Sequence, residues 1–99
     1  MTFLRLAYFP SATIDHFRAV ARQLPDEAPP ERLLFAAGVV TGGWQVVQLW
    51  HSHSALDDFN QNVFFPALNA IGYQTFPRAP HVVDFEPAIL SLGSETSLG

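Results

Sequence analysis

The sequence predicts an α+β fold in which strands and helices follow one another in the order β-α-β-β-α-β. Three observations predict it: apolar runs suited to strands, two stretches with apolar residues at helical spacing, and a Thr-Gly-Gly turn between two strand-like runs. This order is that of the ferredoxin-like arrangement. In it, a four-stranded antiparallel sheet carries two helices on one face.

Four strands are predicted from apolar runs bounded by turn residues. They lie at 2–9, 32–40, 44–51 and 81–86. Two adjacent glycines after the second run permit the positive φ angles of a tight turn, so the second and third strands form a β-hairpin. The proline-rich segments 25–31 and 73–80 are predicted to be loops.

The first helix is predicted between the first two strands, where apolar residues recur at helical spacing. Ser11 or Thr13 suits its N-cap, because a short hydroxyl side chain accepts a hydrogen bond from the first turn. The helix is expected to end near Leu24, since Pro25 disfavours helical backbone in the residue before it.

The second helix is predicted after the third strand, with Ser52 or Ser54 as its N-cap. Pro66 lies within the periodic stretch and lacks the N–H that a helix interior needs. We therefore expect two segments, near 54–64 and 66–71.

Length and composition predict one domain that covers part of its surface with another molecule. The 99 residues form a domain at 1–90, followed by a small polar tail at 91–99 that is expected to be frayed and flexible. Only 14% of residues are charged and 48% are hydrophobic, whereas an average globular chain has about 25% charged residues. Because the predicted sheet has one face without helices, two such faces would pair in a homodimeric α/β barrel with twofold symmetry.

Charge and composition exclude several classes of partner. The five cations are scattered arginines and the net charge is −4. Nucleic acid and membrane surfaces are not expected partners, since both need clustered positive charge. The sequence has no cysteine, which excludes disulfides and thiolate metal sites. Its apolar runs are too short to span a bilayer and its start lacks the layout of a signal peptide, so a soluble cytoplasmic protein is predicted.

Three segments resemble the third strand and second helix of the dimeric α/β-barrel superfamily, above all its antibiotic-biosynthesis-monooxygenase-like (ABM-like) proteins. They are WQVVQLWHS at 44–52, LDDF at 56–59 and FPAL at 65–68. The resemblance, over about residues 2–88, implies a homodimer. As function it implies a cofactor-independent enzyme that oxygenates, cyclises or isomerises a small aromatic or polyketide-like substrate between sheet and helices. The alternative is a non-catalytic homodimer, structural or binding a small molecule, because this scaffold hosts unrelated chemistries.

Departures from the superfamily's patterns limit what the resemblance implies. Asn69 stands where haem-degrading members have their haem-ligating histidine, and Phe59 stands where they have a helix tryptophan. The histidine that a plant polyketide cyclase carries early in its third strand falls near Trp44. No cofactor is therefore predicted, and no complete catalytic set transfers to this chain.

The candidate substrate-binding residues are aromatic or carry an amide. They are Tyr8, Trp44, Gln48, Trp50, Phe59 and Asn69. Alternation does not reveal which strand face looks toward the helices. The aromatic face of the third strand and Tyr8 are the best candidates for the side of a pocket. The tryptophans are alternatively core or dimer-interface residues, and Gln48 alternatively forms a hydrogen bond in that interface.

The candidate catalytic residues are His16, His51 and Asn60. An imidazole titrates near neutrality and suits a general base, while an asparagine amide holds a carbonyl or enolate oxygen. Alternatively, His16 lies exposed on the flank of the first helix and Asn60 on a solvated helix face. No metal is predicted at His51 and His53, because His53 follows the strand end and a site needs a third ligand, unless the fold brings His16 or His81 beside them.

Overall fold

The computed structural model describes residues 1–72, 76–93 and 95–98. Its main sheet is antiparallel and comprises β1 (Phe3–Pro10), β2 (Arg32–Val40), β3 (Gly43–Trp50) and β4 (His81–Phe85) in the spatial order β2-β3-β1-β4. The helices are α1 (Ile14–Ala21), α2 (His53–Phe59) and α3 (Phe65–Ile71). The predicted α+β fold, with its ferredoxin-like order of strands and helices, is confirmed.

The helices cover one face of the sheet. One core cluster joins Phe3 of β1 and Trp50 of β3 to Leu56 of α2. A second contains Trp44 of β3, and Phe17 of α1 packs on it with 5.5 Å between ring centroids. Trp44 and Trp50 share one face of β3 because alternate residues of a strand point the same way, so α1 and α2 lie on the same side. Trp50 and Leu56 are only 1% and 0% exposed, and burial of such side chains contributes about 2 kcal/mol each.

The other face of the sheet is apolar and unevenly covered. Leu6 of β1 lies between Val47 of β3 and Val83 of β4 in the strand registers. Val83 and Phe85 are 59% and 49% exposed, whereas Leu49 of β3 is 1% exposed. β4 therefore presents large apolar side chains on a face where a solvated antiparallel sheet normally carries polar ones.

The first helix ends earlier than the sequence predicts. α1 begins after Thr13, whose extended backbone is that of an N-cap, and its last helical residue is Ala21. Beyond it, the Gln23 N–H donates to the Val20 carbonyl at 2.9 Å and the Leu24 N–H to the Ala21 carbonyl at 3.1 Å. Bonds of this spacing form a 3₁₀ turn, so the predicted end near Leu24 corresponds to the tightened end of the helix.

The second helical stretch continues past Pro66. A π-helical turn, Asn60–Phe64, joins α2 to α3, and Pro66 lies in the first turn of α3. The helical backbone therefore continues where a break was predicted. In the wider turn the Phe65 N–H donates to the Asn60 carbonyl, and Pro66 needs no N–H partner in the first turn of α3. Ser52 caps α2, since its Oγ accepts from the Ala55 N–H at 3.1 Å. None of the helices in the described part of the chain is long and apolar enough to cross a membrane.

The carboxyl-terminal residues form a hairpin that the sequence did not predict. β5 (Ile89–Leu92) and β6 (Glu95–Leu98) pair as a separate antiparallel sheet, where an irregular tail was expected at 91–99. Gly93 between them has φ +62°, a conformation that glycine adopts without strain. The flexibility of this segment stays a prediction. Part of the predicted loop at 73–80, namely 73–75, lies outside the described residues.

Candidate functional site

A cavity of about 350 Å³ lies between the sheet and the helices. Its volume falls within the range of small-molecule sites. The described part of its wall is mostly aromatic, with phenylalanines from β1, β2, the helical segments and the loop before β4. They are Phe9, Phe17, Phe35, Phe59, Phe64, Phe65 and Phe76. The described polar side chains in the wall are Arg5, Arg32, Gln48 and Asn60.

Gln48 has a fixed orientation at the floor of the cavity. The indole N–H of Trp50 donates to Gln48 Oε1 at 3.0 Å. Because an indole nitrogen only donates, this contact assigns the oxygen to the side of Trp50 and leaves the Nε2 amide hydrogens for other partners. Among the described residues, none accepts from Gln48 Nε2. The oxygen of this amide therefore accepts a hydrogen bond from the core residue Trp50, while its NH2 group can donate to a ligand in the cavity.

Asn60 lies in the wall of the cavity at the start of the π-helical turn. Such turns are uncommon and recur at functional sites, because the wider backbone redirects side chains. Asn60 is partly buried, which differs from the solvated helix face that the sequence left open. Phe59 precedes it, also lines the cavity and packs on Trp50 with 5.2 Å between ring centroids.

A β-bulge places Arg32 and Phe35 on the cavity side of β2. The register of β2 with β3 shifts between Arg32 and Leu34, and the extra residue lets two side chains three positions apart share a face. The Arg32 guanidinium carbon lies 4.5 Å from the centroid of the Phe35 ring, a cation–π contact. Burial lowers the pKa of Arg32 from its ordinary value, since desolvation disfavours the charged form.

Arg5 and Asp84 form an ion pair beside the cavity, across β1 and β4. Arg5 Nε donates to Asp84 Oδ1 at 2.8 Å and Arg5 Nη2 to Asp84 Oδ2 at 2.9 Å. The hydrogen bond from Arg5 lowers the pKa of Asp84, and the bond to Asp84 raises the pKa of Arg5. This pair was not predicted from the sequence. Its one signal was a lone cation on a strand face that otherwise carries Phe3, Ala7 and Phe9.

Three of the predicted substrate-binding residues lie outside the described wall of the cavity: Trp44, Trp50 and Tyr8. The tryptophans are buried beneath it in the two core clusters, which was the alternative left open for them. The buried Trp44 Nε1 has no hydrogen-bond partner among the described residues. Tyr8 lies on the opposite face of the sheet, in register with Gln45, and its hydroxyl donates to the Thr41 carbonyl at 3.4 Å.

His16, His51 and Asn69 also lie outside the described wall of the cavity. His16 caps α1: its Nδ1 accepts from the Thr13 N–H at 2.9 Å, and its ring centroid is 6.4 Å from that of Phe76 at the cavity. His51 is exposed on the surface near Glu31, and Asn69 is exposed on α3. Of the nine predicted site residues, the structure therefore brings Gln48, Phe59 and Asn60 together at the cavity.

His51 and His53 are not part of a metal-binding cluster in the described part of the chain. The ring of His53 stacks on Phe3 with 4.3 Å between centroids, and His53 Nε2 lies 3.4 Å from Asp57 Oδ1. Among the described residues, no three histidine, aspartate or glutamate side chains are grouped closely enough to hold a metal ion. His53 therefore packs and pairs locally.

The chemistry of the described wall is that of an aromatic cavity with hydrogen-bond donors. Its guanidinium groups donate, its amide groups both donate and accept, and neither a histidine nor a carboxylate is among its described members. Such a wall suits a flat apolar ligand with an oxygen that accepts hydrogen bonds. It does not itself offer a general base.

Fold and site together define a small α+β protein with a ferredoxin-like sheet and an apolar cavity beneath its helices. No protein-family model matches the chain, and no curated protein matches it. Among solved structures, it is similar to Rv0793 from Mycobacterium tuberculosis, with a TM-score of 0.67 and 20% sequence identity over 95% of this chain and 100% of that chain. This likeness shows the fold.

Proposed function

We propose that this chain is an ABM-like member of the dimeric α/β-barrel superfamily that binds a small aromatic or polyketide-like molecule between sheet and helices. The cavity of about 350 Å³ with its phenylalanine wall is the observation that carries the proposal. Aromatic rings stack on or meet the edges of flat ligands, and burial of those ligands is driven by the hydrophobic effect.

We propose a homodimer in which the two chains pair through the sheet faces opposite their cavities. Val83 and Phe85 supply exposed apolar surface on that face, and twofold pairing brings each such patch against its own copy. The low charged fraction of 14% supports the same arrangement, because a small monomer with so little charge has too few polar groups to cover its surface.

Binding is tested by isothermal titration with naphthalene-ring probes, 2-naphthoate and 2-naphthamide. We expect about one site per chain for at least one probe and a shift in tryptophan fluorescence. Trp50 contacts the cavity residues Gln48 and Phe59, and Trp44 packs on the cavity residue Phe17. Native mass spectrometry of freshly purified protein is expected to show a co-purified small molecule. If neither probe binds at concentrations up to about 1 mM, the proposed binding function is wrong.

Transformation of the bound molecule without a cofactor is the second candidate function, and Asn60 favours it. An electron-rich phenol loses its proton to form an oxyanion, which an amide donor stabilises. The anion gives one electron to O2, and the resulting radical and superoxide combine at a ring carbon. The protonated hydroperoxide then loses water, so one oxygen atom stays in the product and O2 is the oxidant. His16 caps a helix and His51 is exposed, so neither histidine is placed to act as a base at the cavity. Gln48 lines the cavity with Asn60 and offers a second amide to the oxyanion. The proton then leaves to water, which we propose in place of a histidine base.

Catalysis is tested by oxygen uptake with a dihydroxynaphthalene, measured against the uncatalysed rate. Asn60→Leu removes the amide at nearly the same volume and is expected to lower the rate about tenfold or more. Asn69→Leu is the matched control, because Asn69 is exposed outside the described cavity wall. Equal rates for Asn60→Leu and Asn69→Leu would rule out an amide-assisted reaction while leaving the binding function intact.

A further inference from the structure

Arg32 is a partly buried cation in a mostly aromatic wall. The bulge in β2 turns it toward the cavity, and its guanidinium lies over the face of Phe35. Among the described side chains, no carboxylate pairs with it. A guanidinium that is partly removed from water without an anion loses some of its hydration, and the face of one aromatic ring compensates for only part of that loss.

Arg5 provides the contrast within the same cavity. Its guanidinium is engaged by both carboxylate oxygens of Asp84, so this pair contributes little net charge to the wall. The chain as a whole is acidic, with a net charge of −4. Arg32 therefore leaves a local positive charge in an otherwise acidic protein, at a place that is partly shielded from water.

A second donor lies near Arg32 on the neighbouring strand. The register of β2 and β3 sets Phe35 directly opposite Gln48, and Trp50 holds the Gln48 oxygen so that its Nε2 hydrogens are the available end of the amide. Both groups line the cavity. A planar guanidinium and an amide donor on adjacent strands suit the two oxygens of a carboxylate, or a phenolate oxygen.

We propose that Arg32 determines the ligand class of this cavity and that the ligand is a planar aromatic molecule bearing an oxyanion, either a carboxylate or a phenolate. The proposal rests on the proposed binding function and adds the charge of the ligand. The aromatic ring occupies the phenylalanine wall, while the oxyanion accepts hydrogen bonds from Arg32 and Gln48. A neutral ligand of the same shape would bury the guanidinium further without compensating its charge.

The test compares two probes that differ in charge and hardly in shape. Titration of 2-naphthoate and 2-naphthamide is expected to show a preference of about tenfold or more for the anion. Arg32→Gln is expected to remove this preference and to leave naphthamide binding within about twofold of the native value. Arg32→Lys keeps the charge without the planar fork and should restore part of the preference. Arg22→Gln makes the same charge change at an exposed residue outside the described wall and should change nothing.

A second arm distinguishes the two oxyanions. If the cavity accepts a phenolate, binding near Arg32 is expected to lower the pKa of 4-nitrophenol, which is measured by its absorbance. A preference for naphthoate without such a shift in the pKa of 4-nitrophenol assigns the site to carboxylates. If both naphthalene probes bind equally well to the native chain and to Arg32→Gln, the inference about charge is wrong and the binding function stands. If neither probe binds, both proposals fail.

Discussion

Arg5 and Asp84 face each other across β1 and β4 in a bidentate ion pair, with nitrogen–oxygen distances of 2.8 and 2.9 Å. Their side chains are 21% and 30% exposed, so solvent screens the pair only in part. The pair joins the edge strand β4 to the centre of the sheet beside the cavity. It therefore bears on both the stability of the fold and the charge of the site.

Asp84→Asn is expected to lower the free energy of unfolding at pH 7 by about 1 kcal/mol, a value reduced for the partial exposure of the pair. The folded pKa of Asp84 lies below its ordinary value. The stabilisation is therefore complete above the unfolded pKa near 4 and is lost as the pH falls through the folded pKa. Urea denaturation at a fixed protein concentration, from pH 7 downward, should show the native chain and Asp84→Asn converging in acid.

Asp26→Asn serves as the control for this pH series. Asp26 is exposed in the loop between α1 and β2 and forms no ion pair with the described side chains, so its substitution should change stability little at any pH. A difference between the native chain and Asp84→Asn that grew toward low pH would contradict the assignment of the stabilisation to the ionised carboxylate.

Gly43→Ala is expected to destabilise the fold by about 2 kcal/mol or more. A Cβ at Gly43 would meet the backbone carbonyl of Phe9, which cannot move without disturbing β1. Gly38→Ala is the matched control in the same hairpin, because a Cβ there meets nothing within 4 Å. It should be neutral or stabilising by about 0.5 kcal/mol. Thermal or urea denaturation of the two variants checks the difference, and similar losses for both would contradict the close approach at Gly43.

Val82→Trp is expected to weaken binding of naphthalene-ring probes about tenfold or more, because Val82 lines the cavity and the larger ring would occupy it. Val82 is 46% exposed, so the indole enters at the rim without overpacking the core. Titration and circular dichroism together check that binding falls while the fold remains. Undiminished binding in a folded Val82→Trp chain would place the ligand elsewhere.

Val83→Asp is expected to convert the proposed homodimer into a monomer, because it sets a charge on the sheet face opposite the cavity. Val82→Asp is the control. Val82 is next to Val83 in β4 and therefore points to the opposite face, that of the cavity, so the dimer should persist. Sedimentation velocity at micromolar concentration measures both. A native chain that sediments as an 11.0 kDa monomer would contradict the dimer directly.

Strand and helix positions were largely predictable from local pattern. β2 occupies 32–40 as predicted. β1 and β3 are each shifted by one residue from their predicted ranges, and β4 ends one residue earlier than predicted. These boundaries were predicted from glycine and proline, because the backbone conformations that these residues favour end a strand or helix within a few positions. The C-terminal hairpin at 89–98 was not predicted, since its short segments carry no strong alternation.

The site was predictable only in part. Gln48 and Phe59 were assigned to the substrate and Asn60 to catalysis from residue type and spacing, and the structure places all three at the cavity. Tyr8 was grouped with the tryptophans, yet it lies on the opposite face of the sheet. Alternation reveals which residues of one strand share a face, but it does not relate the faces of two strands until their register is known.

The sequence by itself determined the order of strands and helices as far as β4 and the apolar character of both sheet faces, because these follow from periodicity and composition. Only the tertiary structure decided which face carries the helices and the cavity. It also brought Asp84 opposite Arg5, 79 positions away in the chain, and it placed Arg32 beside Phe35 through a bulge that shifts the strand register. Pairing between distant strands and the offset of a bulge depend on the packing of the whole sheet, which no local pattern records.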